Sequence, residues 1–395
     1  MIDRVHFENF KSLQDVTLDL GRLTALVGPN GCGKSSVLQG IRLLSQTAKT
    51  ELSDPDVASG LIASAASIYR GPRAPRRLIY RSVGGEMRLA MRRAGGDELS
   101  IHIQVPDPRP GGSSQPALKI SVGPDAPWSV SFPLSVGALP PGAMPPGTFV
   151  SPRVRPFASA VYLHLDASEM VKTSFSDDET PQMDPDGSHL ASSLAWMKGA
   201  AEDNLAQITA DLAAVVPGAK RFRTHRQRST RRRIERHEVD GQPVWRPIDE
   251  TLIGDRFEIE FDDGSAIPAD LLSEGTVLVL GLLTKLREPQ RPQLLLVDDI
   301  DRGLHLGAQV SLIKALREMM KLEPELQIVC TTHSPYLLDL FEPAEVRVLA
   351  LDSERRTHAR PLTEHPDFQK WKFGTQVGEL WAALGEDWVI GGASG

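Results

Sequence analysis

The chain has 395 residues, 41% of them apolar, with two cysteines and a formal net charge of −7. Two cysteines cannot make a disulfide framework, and the acidic balance argues against a surface that binds polyanions everywhere. No apolar run reaches membrane-spanning length and the first residues lack a signal-peptide core, so a cytoplasmic protein without membrane contact is expected.

Residues 2–8 and 15–27 read as strands around a turn at Asn9-Phe10-Lys11-Ser12. The apolar run Leu23-Thr24-Ala25-Leu26-Val27 feeds Gly28-Pro29-Asn30-Gly31-Cys32-Gly33-Lys34-Ser35-Ser36, and Val37, Leu38, Ile41 and Leu44 follow at helical spacing. This is the P-loop pattern G-x-x-x-x-G-K-[ST] between a strand and a helix. Its glycines let successive backbone N–H groups face one anion, and the helix adds its positive end. Lys34 supplies a charge for the β- and γ-phosphates and Ser35 a hydroxyl for Mg²⁺. ATP with Mg²⁺ is the expected ligand pair.

Residues 79–91 alternate like a strand or hairpin, with Gly84-Gly85 as the turn. Residues 106–156 are rich in Pro and Gly, which excludes long helices and suggests short strands and irregular loop. Residues 188–215 carry a helical period ended by Pro217-Gly218. A basic run follows: Lys220, Arg221, Arg223, Arg226, Arg228, Arg231, Arg232, Arg233 and Arg236. It reads equally as a nucleic-acid contact, a contact for an acidic partner, or a solvated face or loop. Phe222 is the one aromatic inside it, so base stacking is poorly supported. Strand pieces at 257–261 and through 267 flank the turn Asp262-Asp263-Gly264. A helix from 273 to 286, a strand at 294–297, a helix at 307–320 and a strand at 327–331 complete an α/β pattern with a largely parallel sheet.

Three further motifs carry chemistry. Leu294-Leu295-Leu296-Val297 ends in Asp298-Asp299, placing acids at the carboxyl end of a buried strand, where such sheets bind ligands. Asp298 is the candidate Mg²⁺ partner through water, and Asp299 the candidate for polarising the attacking water. Leu272-Ser273-Glu274-Gly275-Thr276 offers a hydroxyl and free N–H groups to a phosphate, although Ser273 reads equally as a helix N-cap. Thr331-Thr332-His333-Ser334-Pro335 ends the next strand, and a histidine there can bond a γ-phosphate or water.

In this order the motifs resemble an ATP-binding-cassette-type ATPase head of the SMC/RecF/OLD-like AAA group. Phe7-Glu8-Asn9-Phe10-Lys11-Ser12-Leu13, Asp186-Gly187-Ser188-His189-Leu190-Ala191 and Gly303-Leu304-His305 match as well. The resemblance covers most of the chain and fails over 93–157. It implies a single head spanning 1–395, with a mixed or parallel central sheet, an N-terminal antiparallel sheet and a helical lobe. Within it lie an N-terminal P-loop lobe (1–92), a Pro/Gly-rich insertion (93–157), a helical lobe with the basic run (158–240) and a lobe holding the remaining motifs (241–395).

The resemblance further implies two heads sandwiching two ATP molecules. Gly28, Pro29, Asn30, Gly31, Cys32, Gly33, Lys34, Ser35 and Ser36 would hold the nucleotide, with Lys11 nearby. Ser273, Glu274 and Gly275 would meet the ATP of the other subunit. His333 would be the switch histidine and Asp301 would sit in the loop crossing the dimer interface. No glutamine stands at an obvious position for the family's metal-sensing glutamine loop. Where the family has Asp-Glu, this chain has Asp298-Asp299, so the second carboxylate sits about 1.5 Å further back and slow hydrolysis is expected. Relatives control a separate effector, a nuclease or toxin, in bacterial anti-phage defence; a RecF-like DNA clamp is the alternative.

Overall fold

A computed structural model describes residues 1–49, 85–105, 117–122, 128–133, 157–239, 242–371 and 376–391. Contacts divide the chain into two units, one of 1–162, 292–301 and 320–395, the other of 163–291 and 302–319. The sequence expectation had drawn its boundaries at 92, 157 and 240.

The first unit begins with β1 (Ile2–Phe10) and β2 (Leu13–Asp19), an antiparallel pair joined by a turn in which Asn9 and Lys11 take left-handed backbone. The expected strand at 15–27 is two strands, because the chain leaves the first sheet at Leu20–Arg22 and re-enters another as β3 (Leu23–Val27). β3 is buried along its whole length, as a central parallel strand must be. Helix α1 (Lys34–Lys49) follows the P-loop.

The sequence places a turn at Gly84-Gly85. Gly84 lies outside the described residues, and Gly85 opens strand β4 (Gly85–Arg93), which pairs with β5 (Glu98–Val105). Gly95 and Gly96, both at positive φ, make the reversal between these two strands. Strands β6 (Ala117–Val122) and β7 (Trp128–Pro133) extend this sheet to the order β2-β1-β4-β5-β6-β7. The described part of the Pro/Gly-rich insertion is therefore meander; the remainder lies outside the described residues.

The second sheet of this unit has the order β15-β14-β3-β13-β12-β8, formed by β8 (Ala160–Leu163), β12 (Leu294–Val297), β13 (Gln327–Thr331), β14 (Val346–Leu351) and β15 (Thr357–Pro361). β12, β13, β3 and β14 run parallel and β15 returns antiparallel. One core cluster joins Val5, Phe7 and Leu89 of the first sheet, Val37, Leu38, Ile41 and Leu44 of α1, and Leu296 and Val329 of the second. The apolar face of α1 that the sequence period predicts is thus buried.

The second unit holds α2 (Leu190–Ala200), α3 (Glu202–Val215), α4 (Glu274–Arg287) and most of α5 (Leu306–Leu322). The expected single helix over 188–215 is α2 and α3, broken at Ala201, whose backbone is non-helical. The basic run is neither a loop nor a surface of a helix. It is strand β9 (Ala219–Val239), paired in register along β10 (Gln242–Phe261), with β11 (Ala266–Pro268) covering the base of β10. Phe222, Phe257 and Ile259 are buried at the base of this ribbon, whereas Ile234, Trp245 and Ile253 further along are more than 60% exposed. The register sets Arg221 opposite Glu260, Arg226 opposite Asp255, Arg231 opposite Glu250 and Arg232 opposite Asp249. Arg232 makes a two-pronged contact with Asp249 at 2.8 and 3.2 Å.

Candidate active site

The loop after β3 owes its shape to its glycines. Gly28, Gly31 and Gly33 all have positive φ. At Gly28 a side chain is also sterically excluded, since a Cβ would lie 2.1 Å from the Leu349 carbonyl oxygen of β14. Lys34 is buried and its Nζ donates to the carbonyls of Gly28 (2.8 Å) and Pro29 (3.1 Å), so its charge lies inside the loop. Cys32 is buried under the loop, and burial pushes its thiol pKa up. Thr357 of β15 clasps the loop from the far end of the chain, donating to the Cys32 carbonyl at 2.9 Å and bonding Ser12 Oγ at 2.8 Å.

Asp298 follows β12 directly, and three hydroxyls converge on it. Ser35 donates to Oδ1 at 3.2 Å, Thr331 to Oδ1 at 2.7 Å and Tyr162 to Oδ2 at 3.1 Å. A serine hydroxyl and a carboxylate side by side are the protein donors that suit Mg²⁺, which takes most of its octahedral shell from water and phosphate oxygens. Among the described residues no group of three or more His, Cys, Asp or Glu is gathered to hold a metal by itself, so the donor set fits a nucleotide-borne ion. Tyr162 stays protonated, because burial and the adjacent Asp298 raise its pKa.

Asp299 has φ of 51°, left-handed backbone that aspartate tolerates better than most residues. Its N–H donates to Thr331 Oγ1 at 2.7 Å, so one buried threonine holds both acids. Burial first, then Asp298 and Asp301, raise the pKa of Asp299, with His333 and Lys34 opposing. His333 Nε2 lies 3.9 Å from Asp299 Oδ1. Asp301 has one buried carboxylate oxygen without a hydrogen-bond partner among the described residues.

These residues meet at the carboxyl ends of β3, β12 and β13, as their places after three parallel strands require. Lys11 Nζ bonds Gln39 of α1 and lies over the Phe10 ring, and burial lowers its pKa to about 8. Ser273, Glu274 and Gly275 belong to the second unit. Ser273 caps α4, accepting from the Thr276 N–H at 3.3 Å, and Glu274 pairs with Arg302 at 2.8 Å. Gly275 is buried, and a Cβ there would lie 2.2 Å from the Gly303 carbonyl oxygen, which accounts for the glycine by packing. Sequence reasoning missed Tyr162, Thr331 and Thr357. Thr331 stood inside a recognised motif; the other two carried no signal.

Two family models match: "AAA domain, putative AbiEii toxin, Type IV TA system" over residues 148–339 and "AAA ATPase domain" over 1–72. An OLD nuclease of Thermus scotoductus is 50% identical over 44 residues, 11% of this chain and 8% of that protein, so the chain spans under a tenth of this curated relative. An SMC head solved with the C-winged helix domain of ScpA is similar across 92% of this chain and 99% of its own, with TM-score 0.55 and 14% identity. An SMC head with an extended coiled coil, solved with the C-terminal domain of ScpA from Pyrococcus furiosus, gives TM-score 0.51 and 12% identity over 93% and 98%. Those two likenesses bear on the fold alone. No helix among the described residues is long and apolar enough to cross a membrane. The P-loop falls in the stretch matched by the second model, and Asp298, Asp299 and His333 in that matched by the first, so both parts of the site lie in sequence similar to AAA ATPases.

Proposed function

We propose that this chain binds and slowly hydrolyses ATP, dimerises around it, and uses the bound state to control a separate effector. The observation that carries this reading is the meeting of Ser35, Asp298, Asp299 and His333 beside the P-loop. Gly28 to Ser36 and the charge of Lys34 hold the phosphates, and Ser35 and Asp298 hold Mg²⁺. Bound there, Mg²⁺ would supply charge neutralisation at the phosphates. Asp299 accepts the proton of the attacking water, helped by a pKa above the usual aspartate value, and His333 orients the water or the γ-phosphate. The second acid is an aspartate on left-handed backbone, which sets its carboxylate back and slows the step.

Ser273 and Glu274 are exposed at the start of α4, a placement compatible with contact to the nucleotide of a second copy. The test is complementation. Lys34→Ala abolishes ATP binding, and Ser273→Arg blocks the facing surface. A mixture of the two restores one working site of the two in each heterodimer, and with it hydrolysis that neither parent shows. A mixture as inactive as either parent, with heterodimers shown to form, would refute the sandwich.

The ribbon β9–β10 is the proposed effector contact, and an anti-phage role follows from the resemblance to OLD-like relatives. Most of its arginines stand opposite acids, which lowers its value as a phosphate surface, and it exposes Ile234, Trp245 and Ile253. These features favour a protein effector over the DNA clamp. Ile234→Ser with Trp245→Ser is expected to lose the co-purifying effector while ATPase activity stays native.

A further inference from the structure

Beyond the motif residues, one side chain is built into the metal-facing carboxylate. Tyr162 is 7% exposed and donates to Asp298 Oδ2, the oxygen that Ser35 and Thr331 leave alone. It reaches Asp298 from β8, while Thr331 reaches it from β13, on the other side of β12 in the sheet. The carboxylate is therefore braced from both neighbouring strands, one oxygen by each.

The ring of Tyr162 is placed by the P-loop helix. Ser35, Gln39 and Arg42 stand at i, i+4 and i+7 of α1, one polar stripe on a helix whose other face is buried core. The Arg42 guanidinium lies 5.5 Å from the ring centroid. Gln39 accepts from Lys11, and its side chain acts on the Tyr162 hydroxyl as well. Lys11, Gln39 and Tyr162 thus lead in turn to Asp298. A chain of this kind polarises each bond in turn and ends on the one group that needs a fixed orientation.

We propose that Tyr162 is a positioning residue for Mg²⁺ binding, holding Asp298 in the rotamer that faces Ser35, with Gln39 holding Tyr162. This rests on the ATPase reading above. A tyrosine that merely fills the core would affect folding and nucleotide affinity alike, with or without metal. A positioning tyrosine would affect only the metal-dependent part.

The experiment uses the full chain and a non-hydrolysable ATP analogue, with its affinity measured by calorimetry in EDTA and across a Mg²⁺ titration. In Tyr162→Phe the ring and its packing remain and one hydroxyl is lost. The expected result is an affinity in EDTA within about twofold of native and a Mg²⁺ requirement raised about tenfold, the scale seen when a partner of a metal ligand is removed. Gln39→Leu, which does not touch Asp298, should shift the Mg²⁺ requirement the same way by about threefold, and it carries the test if Tyr162→Phe fails to fold. An unchanged Mg²⁺ requirement in both variants would overturn the proposal. So would an equal loss of affinity in EDTA and in Mg²⁺, the pattern of a structural tyrosine. A native chain that binds no nucleotide under either condition would overturn the ATPase reading itself, and this proposal with it.

Discussion

Thr331→Val is the sharpest probe of the acidic pair. Thr331 is fully buried, and valine has nearly its shape, so packing is kept while the hydroxyl is lost. Two bonds go: the donor to Asp298 Oδ1 at 2.7 Å and the acceptor for the Asp299 N–H at 2.7 Å. The first is a bond to a charged group, worth about 1.5–3 kcal/mol, and the second leaves a donor unsatisfied at about 1–3 kcal/mol. Relaxation of the left-handed Asp299 backbone returns about 1–2 kcal/mol, the strain that the lost bond had sustained. At the midpoints of these ranges the net destabilisation is about 3 kcal/mol, read as a lower thermal midpoint. The catalytic effect should be larger than this figure suggests, because Asp299 is then free to shift by an ångström. Phosphate release should fall about 100-fold. ATP affinity measured in EDTA by calorimetry should stay within about twofold, since the bonds lost are to Asp298 and Asp299 and not to the phosphate loop. A folded Thr331→Val protein that hydrolyses ATP within threefold of native would refute this account of how the acids are held.

Asp299→Asn keeps the shape without the proton acceptor, so ATP should be trapped and the dimer, followed by light scattering, should persist; unchanged hydrolysis would move the role to His333 or Asp301. Asp299→Glu restores the longer acid and should hydrolyse faster than native, at a stability cost of about 1 kcal/mol for glutamate on left-handed backbone. Asp352 accepts from the N–H groups of Glu354 and Arg356 and from the side chains of Arg356 and His358, which hold its carboxyl far below the usual range. A depressed carboxylate stabilises fully above its unfolded value of about 3.8 and loses that contribution as pH falls below it. Acid unfolding should therefore begin near that pH in the native chain. Asp352→Asn should be less stable at pH 7, with the difference narrowing as pH falls below 3.8; a difference that stays constant through that fall would contradict the assignment.

Much of the head was legible because motif chemistry demands fixed places. A P-loop needs a strand before it and a helix after it, and acids that meet Mg²⁺ need a strand end beside it. The ribbon was not legible for a physical reason. Strand recognition relies on alternation between a dry and a wet face, and along most of β9 both faces meet solvent, so arginine appears at odd and even positions alike. The break at Ala201 was hidden because Gly199, Ala200 and Ala201 offer no proline or cap to mark it. Tyr162 and Thr357 belong to the site only through long-range packing, and no local pattern announces such a residue.

The clasp of Thr357 on the P-loop has a consequence for biosynthesis. Cys32 and Thr357 are 325 residues apart, and Ile2 is bonded to Gln327 across a similar span. At about 5–20 residues per second, roughly 16–65 s separate translation of the nucleotide loop from translation of the residue that fastens it. Over that interval β3 also lacks both its sheet neighbours, β13 and β14. A nascent chain can therefore display a complete P-loop sequence with no formed nucleotide site. Newly made chains should acquire ATP only as β13 to β15 emerge from the ribosome.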